Sequence, residues 1–86
     1  MTITLGSEHD AKLQDALMNA LREIGASVGA PDWAVGGSQE IMSIIVEVDG
    51  IQIQIESETY VGLTLKGDPK IIELLADRTR EIRDKL

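Results

Sequence analysis

The dipeptide Asp49-Gly50 stands between two aliphatic-rich runs, IMSIIVEV before it and IQIQIE after it. Asp-Gly between such runs is the strongest short-range signal for a β-hairpin with a two-residue type I′ turn. A turn of this length fixes the register of the two strands, because the residues on either side of it must pair directly. Val48 then pairs with Ile51, and the pairing continues outward to Ile44 with Ile55.

The two faces of this predicted hairpin differ in polarity. In the register that the turn dictates, every pair on one face is aliphatic on both strands. The opposite face pairs Glu47 with Gln52 and places Gln54 and Glu56 nearby. A shift of one residue would mix the two faces, so turn chemistry and face polarity support the same register.

A third strand follows the hairpin. The segment Ser57-Glu58-Thr59 predicts a three-residue loop that leads into the run YVGLTLK. Such a loop places Glu56 opposite Tyr60 and keeps the alternating aliphatic residues on the apolar face. We therefore expect a three-stranded antiparallel meander with Val61, Leu63 and Leu65 facing the core.

A first helix is predicted over residues 8–24. Ser7 is the expected N-cap, and Gly25 lies where a left-handed C-cap residue belongs. Between them an aliphatic stripe repeats at helical spacing, as one buried face of a helix requires. The stripe consists of Leu13, Leu17, Leu21 and Ile24.

A second helix is predicted to begin at Asp68-Pro69, with Asp68 as N-cap and Pro69 in the first turn. Its basic residues crowd the last turns, where the helix dipole favours cations and where we expect them to be solvated. The expected inner face consists of Ile71, Ile72, Leu75, Thr79, Ile82 and Leu86.

These elements predict one α+β domain over residues 1–86. The expected architecture is a two-layer sandwich of order α-β-β-β-α, in which both helices cover the apolar face of the meander. Residues 2–5 are a candidate for a short additional N-terminal strand. Residues 25–40, which are rich in glycine, are interpreted as a long connection.

The predicted order of elements resembles that of double-stranded-RNA-binding domains, in element order only. Those domains hold phosphates with a lysine cluster at the start of their second helix, where this chain reads GDPKIIE, with Lys70 alone. The net charge is −7, and residues 1–65 carry ten acidic side chains against Lys12 and Arg22. Phosphate backbones would be repelled, so we expect no binding of nucleic acid.

Composition argues against several kinds of site. The chain has no cysteine and a single histidine, His9, so we expect no metal or other cofactor. Glu47 and Glu56 are the paired carboxylates of the polar face, but the register places them roughly 13 Å apart along the strand, too far for a glycosidase pair. No nucleophile-elbow pattern G-x-S-x-G occurs. We therefore predict that the protein is not an enzyme.

The sequence offers no membrane-spanning run and no signal peptide, so we expect a cytoplasmic protein that does not associate with membranes. The first functional hypothesis is a small, acidic, non-catalytic module, of the immunity, antitoxin or chaperone type, that docks a basic protein partner. The alternative is a self-associating structural or assembly subunit, such as a homodimer. A third is an enzyme with an unrecognised site. Candidate partner-binding residues are Trp33, Asp32, Glu47, Gln52, Gln54, Glu56 and Tyr60.

Trp33, the only tryptophan, supports two interpretations. It either closes the open end of an aliphatic core or projects as an anchor for a partner. We favour the first, for which Trp33→Ala would destabilise the fold by ~3–5 kcal/mol and the fluorescence of the folded protein would be blue-shifted. A red emission maximum with unchanged stability would support the anchor.

Overall fold

The computed structural model describes residues 1–36, 39–59 and 61–86, with the side chains of 33–36, 39 and 40 left out of the description. In chain order the elements are β1 (Thr2–Gly6), α1 (Ala11–Glu23), β2 (Ser27–Val28), β3 (Asp32–Gly36), β4 (Gln39–Val48), β5 (Ile51–Glu58), β6 (Gly62–Lys66) and α2 (Pro69–Asp84).

All described strands belong to one antiparallel sheet with the order β1-β6-β5-β4. Both β2 and β3 pair with the outer edge of β4, so the sheet is five positions wide. The two helices pack on one face and share a single core with it. The α+β class and the N-terminal strand β1 are confirmed. The predicted order of elements is wrong, because β2 and β3 lie between α1 and the meander.

The β4–β5 hairpin confirms the predicted register. Val48 pairs with Ile51, and the pairing continues through Ile44 with Ile55. The turn has positive φ at both central residues, 51° at Asp49 and 80° at Gly50, as type I′ requires.

The register between β5 and β6 differs from the prediction. Glu56 pairs with Thr64 rather than with Tyr60, and Glu58 pairs with Gly62. The connection still has three residues, but it begins two residues later than expected. The connection is displaced by an even number of residues, and side chains alternate between the faces with a period of two. Leu63 and Leu65 therefore remain on the buried face. Val61 falls in the connection and is exposed, which corrects its assignment to the core.

Gly62 explains where this connection ends. Its φ is +115°, and a Cβ atom at this position would lie 2.3 Å from the carbonyl oxygen of Gly6. Only glycine allows both that backbone conformation and the close approach of β1. Gly62 therefore marks the start of β6.

The interpretation of residues 25–40 as a connection is wrong. The segment contains β2 and β3, and β4 already begins at Gln39. Ser27 pairs with Glu47, and Trp33 pairs with Met42. Trp33 thus lies in a strand, although its side chain is outside the described part of the structure. Glycines and Pro31 interrupt the segment, so its runs of alternating polar and apolar residues are too short to indicate strands from the sequence.

Helix α1 begins at Ala11, three residues later than predicted. Asp10, and not Ser7, is the N-cap, because its Oδ1 accepts a hydrogen bond from the backbone N–H of Leu13 at 3.1 Å. Ser7 caps a turn instead, accepting from the N–H of His9 at 3.1 Å. At the other end, Gly25 has a φ of +70°, which confirms the predicted left-handed conformation.

Helix α2 begins as predicted. Asp68 accepts a hydrogen bond from the N–H of Ile71 at 3.1 Å, and Pro69 occupies the first turn. Its buried residues are Ile72, Leu75, Ala76 and Thr79. Leu86 is exposed, which corrects its assignment to the inner face.

The two helices bury small residues. Ala16 and Ala20 of α1 are completely inaccessible, and Ala76 and Thr79 of α2 are 1% and 0% exposed. Small side chains allow close packing of elements. The Thr79 hydroxyl is buried without a hydrogen-bond partner among the described residues.

Ion pairs join the two helices at their surface, so the expected full solvation of the basic residues of α2 is only partly correct. Arg78 donates to both carboxylate oxygens of Glu23 at 2.6 and 2.8 Å, and Arg83 donates to Asp10 at 2.6 Å. The Arg83 guanidinium holds the pKa of Asp10 below its ordinary value, and Arg78 does the same for Glu23.

Candidate protein-binding surfaces

Neither helix covers the polar face of the sheet. The pairs on this face run from Glu47 with Gln52 to Glu56 with Thr64, and Thr4 continues the row on β1. Antiparallel sheets commonly leave one face to solvent, with polar side chains alternating outward. We call this surface the open sheet face.

Four of the seven predicted candidate residues lie together on the open sheet face. Glu47 and Gln52 are exposed and directly paired, and Gln54 and Glu56 lie further along β5. Asp32 is exposed at the start of β3, at the register position opposite Ser43 of the same face. The other two candidates are Trp33, described in its backbone alone, and Tyr60, which lies outside the described residues.

Hydrogen bonds order the centre of the open sheet face. The Gln54 amide donates to Glu56 at 3.0 Å and to Ser43 Oγ at 3.4 Å. Glu56 also forms an ion pair with Lys66, whose Nζ lies 3.1 Å from Glu56 Oε2. This chain of contacts crosses from β4 through β5 to β6, and it holds the Glu56 carboxylate in one place.

Acidic groups predominate on this face. Among its described residues, the carboxylates are Asp32, Glu47, Glu56 and Glu58, and the one cation is Lys66, which is already paired with Glu56. The confirmed register keeps Glu47 and Glu56 four residues apart along the strands. The carboxylates are therefore spread over the surface instead of converging on one point.

The opposite face of the sheet carries an apolar groove that the sequence did not reveal. Its volume is about 330 Å³, and it lies between α1 and the first half of β4. We call it the α1 groove. It is lined by Gln14, Leu17, Met18, Leu21, Val28, Met42, Ile44, Ile55, Ser57 and Leu63.

The α1 groove contains side chains that are apolar and yet reachable. Met18 is 39% exposed and Val28 is 44% exposed, while Met42 and Ile44 are half-buried. Gln14, at its rim, donates a hydrogen bond to the carbonyl of Glu8. The other apolar lining residues, Leu17, Leu21, Ile55 and Leu63, are buried.

Two sequence signals mark residues of the α1 groove as apolar, although neither signal locates the groove. Met18 lies one position beyond the stripe of Leu13, Leu17 and Leu21, so the apolar face of α1 is wider than that stripe alone. Met42 continues the apolar alternation of Ile44 and the later core residues of β4. Val28 gave no signal, because its strand has only two residues.

Within the described ranges, no three His, Asp or Glu side chains are grouped so that they could hold a metal ion. In the same part of the chain, neither helix has the length and the apolar character that crossing a membrane requires.

Comparisons with protein-family models, with curated proteins and with solved structures gave no match to this chain. Function is therefore inferred from the two surfaces themselves.

Proposed function

We propose that this protein is a small, acidic, non-catalytic module that docks a basic protein partner on the open sheet face. The observation that carries the proposal is the excess of carboxylates on a whole face that no helix covers. Asp32, Glu47 and Glu58 have no ion-pair partner among the described residues, whereas Glu56 is held by Lys66.

The arrangement of charge suits association better than catalysis. Dispersed carboxylates create a broad negative potential, which steers a basic protein toward the surface and raises its association rate. The Gln54 amide and Lys66 hold the Glu56 carboxylate in place, so that it presents a fixed acceptor to an incoming arginine or lysine. Glycoside hydrolysis by paired carboxylates would instead need the two groups about 5–9.5 Å apart.

Affinity capture from the cells of origin tests the proposal. The wild-type protein is compared with a charge-reversed variant of the open sheet face, Glu47→Lys/Glu58→Lys. The matched control is Glu73→Lys/Asp77→Lys, which changes two exposed carboxylates of α2 and gives the same net charge. Any captured protein is identified by mass spectrometry, and its affinity is measured at low and high salt.

We expect the wild type and the control to bind a protein with a basic surface, and the face variant to lose at least tenfold in affinity. The affinity of the wild type should fall as salt is raised, because exposed charges are then screened. Equal loss in both variants would contradict docking on the open sheet face. A partner without a basic surface, or binding that is insensitive to salt, would contradict the proposed chemistry.

Self-association is the second candidate function, and the edge strand β3 favours it. Within the described residues, β3 pairs with β4 on one side only. Its sequence DWAVG contains neither lysine nor proline, the residues with which edge strands are commonly protected from pairing with another chain. Sedimentation at several concentrations tests this candidate, with Ala34→Lys as the variant that should abolish a dimer formed through β3. The mass of a monomer at every concentration would contradict it.

A further inference from the structure

We propose that β1 is a dimerisation edge, at which the β1 strands of two copies of the chain pair antiparallel about a two-fold axis at Ile3. The pairing joins the sheets of the two copies into one continuous sheet. This edge lies at the other end of the sheet from β2 and β3. The pairing does not depend on the docking of a basic protein on the open sheet face.

The hydrogen bonds of β1 leave one set of backbone groups directed away from the sheet. Within the described residues, β1 pairs with β6 alone. Met1 and Gly67 exchange two hydrogen bonds, each of 3.0 Å, at the start of this pairing. Bonded and non-bonded positions alternate in an antiparallel pair, so Ile3 also bonds to β6, whereas Thr2 and Thr4 do not. The N–H and C=O groups of both threonines therefore point outward.

The side chains of Thr4 and Thr64 support this alternation. Their hydroxyl oxygens lie 3.4 Å apart across the two strands. Directly opposed side chains are closest at the non-bonded positions of an antiparallel pair. Thr4 therefore occupies a non-bonded position toward β6, and its backbone groups are available on the outer side.

The sequence of β1 does not protect this edge from another strand. Edge strands are commonly protected by lysine, proline or a bulge. The strand TITLG contains neither lysine nor proline, and the irregularity in its pairing begins only after Thr4. Thr2 and Thr4 are both exposed. A short regular edge, from Met1 to Thr4, is thus available to a strand of another chain.

A second copy of β1 matches this edge without a change in either strand. Only an extended strand offers the alternating N–H and C=O groups that such an edge requires. In an antiparallel pair centred on Ile3, Thr2 of each copy lies opposite Thr4 of the other. Each threonine pair exchanges two hydrogen bonds, which satisfies every outward group of these residues. Self-complementarity of this kind is what a two-fold interface requires.

The faces of the two sheets also agree. Side chains that pair directly across two strands lie on the same side of a sheet. Thr4 belongs to the open sheet face, whereas Ile3 is half-buried against the core on the other side. The pairing places threonine beside threonine, a combination that stabilises neighbouring strands, and Ile3 beside Ile3. The helices of both copies then lie on one side of the joined sheet.

Charge distinguishes this pairing from the docking of a basic protein. Strand β1 has no charged side chain, and Lys66, which lies opposite Thr2 on β6, is held by Glu56. Association of two uncharged strands should therefore not weaken as salt is raised. Docking on the carboxylates of the open sheet face should weaken, because salt screens exposed charges.

Single cysteines test the register, because the chain has no cysteine of its own. In the proposed pair, the Cα atoms of Ile3 in the two copies are about 4.5 Å apart, within the range that a disulfide bridges. The Cα atoms of Thr4 are diagonal neighbours about 7–8 Å apart, beyond that range. Thr4 is the more exposed residue, so random collision would favour Thr4→Cys. We expect Ile3→Cys to form disulfide-linked dimers at least tenfold faster under mild oxidation.

Sedimentation equilibrium tests the outward backbone groups. Thr4→Pro removes an N–H that β6 does not use, and proline is tolerated at edge positions of this kind. Thr4→Val keeps the N–H and is the matched control. With rising concentration, the masses of the wild type and Thr4→Val should increase from one chain toward two. Thr4→Pro should keep the mass of one chain while circular dichroism shows that it is folded.

Two further variants complete the design. Thr2→Pro removes the other outward N–H and replaces Thr4→Pro if that variant does not fold. Ala34→Lys changes β3 and should dimerise as the wild type does, because β3 lies away from the β1 edge.

Three results would overturn the proposal: the mass of one chain for the wild type at every concentration, equal association of a folded proline variant and the wild type, or disulfide formation by Thr4→Cys as fast as by Ile3→Cys. Loss of the dimer in Ala34→Lys would assign self-association to β3 and would also overturn it. A dimer that weakens as salt is raised would contradict the pairing of uncharged strands. Capture of a basic protein by the open sheet face is measured separately, so either proposal can fail without the other.

Discussion

Two parts of the same sheet face have similar side chains and different cover. Beneath the helices, Val46 and Ile53 are 0% and 2% exposed. In the first half of β4, Met42 and Ile44 are half-buried, and Val28 on the neighbouring strand β2 is exposed. Hydrophobic alternation thus specifies which face of a strand is apolar, but the number and placement of helices decide whether that face becomes core.

The difference runs along strand β4. Val46 and Val48, in its second half, are 0% and 6% exposed and belong to the core that the sheet shares with both helices. Met42 and Ile44, in its first half, are half-buried and line the α1 groove. Cover therefore changes within one strand of uniform apolar alternation.

The largest expected effect tests the assignment of the covered half. Ile53→Asp should prevent folding, because it buries a carboxylate without a partner at a cost of several kcal/mol. Gln52→Asp, the adjacent residue on the open sheet face, should leave the protein folded. Circular dichroism and thermal melting distinguish the two. Similar melting temperatures for both variants would refute the assignment of faces.

The covered and uncovered halves should also differ when large side chains are truncated. Leu75→Ala removes a fully buried side chain from α2 and should cost ~2–5 kcal/mol. Met42→Ala, in the uncovered half, should cost ~1 kcal/mol or less, because solvent already reaches that site. Urea denaturation measures both free energies. Equal losses would mean that the α1 groove is closed in solution.

The same contrast shows where sequence reasoning succeeds. The β4–β5 register was predictable because Asp49-Gly50 and the polarity of both strands specify it independently. The β5–β6 register was not, because a three-residue loop can begin at Ser57 or at Thr59 without changing which residues face the core. The positive φ of Gly62, beside the Gly6 carbonyl, selects the second.

The candidate surfaces were predictable to different degrees. The pairing of Glu47 with Gln52 and the grouping of Gln54 with Glu56 followed from the hairpin alone. The α1 groove did not, because it depends on where α1 lies above a strand distant in sequence. Long-range packing of this kind leaves no periodic pattern within either segment.

A smaller effect is expected at a buried polar group of α2. The buried Thr79 hydroxyl has no partner within the described structure, so removing it should relieve a desolvation cost. Thr79→Val keeps the shape of the side chain and should stabilise the protein by about 1 kcal/mol. Thr79→Ser keeps the hydroxyl and is the control, with no gain expected. Unchanged or lower stability of Thr79→Val in urea denaturation would show that the hydroxyl is satisfied.

The smallest effect concerns the ion pairs that join the helices. The pKa of Asp10 is lowered in the folded protein by Arg83 and by the Leu13 N–H. Its contribution to stability is therefore complete above the ordinary pKa of 3.8 and is lost as the pH falls through the lower folded value. Asp10→Asn keeps an N-cap acceptor but removes the charge, so its melting temperature should fall less than that of the wild type on acidification. Melting temperatures that fall by the same amount in the wild type and in Asp10→Asn across this pH range would contradict the stabilising role assigned to the Asp10 charge.

The central claim is that the α1 groove, beside the first half of β4, is open to solvent in the free protein. Paramagnetic relaxation of the three methionine methyl signals by a neutral soluble gadolinium chelate measures this directly. The structure predicts that Met18 relaxes nearly as fast as the exposed Met1, and that the half-buried Met42 is also relaxed measurably, at every protein concentration. Slow relaxation of Met18 and Met42 beside a rapidly relaxing Met1 would contradict it.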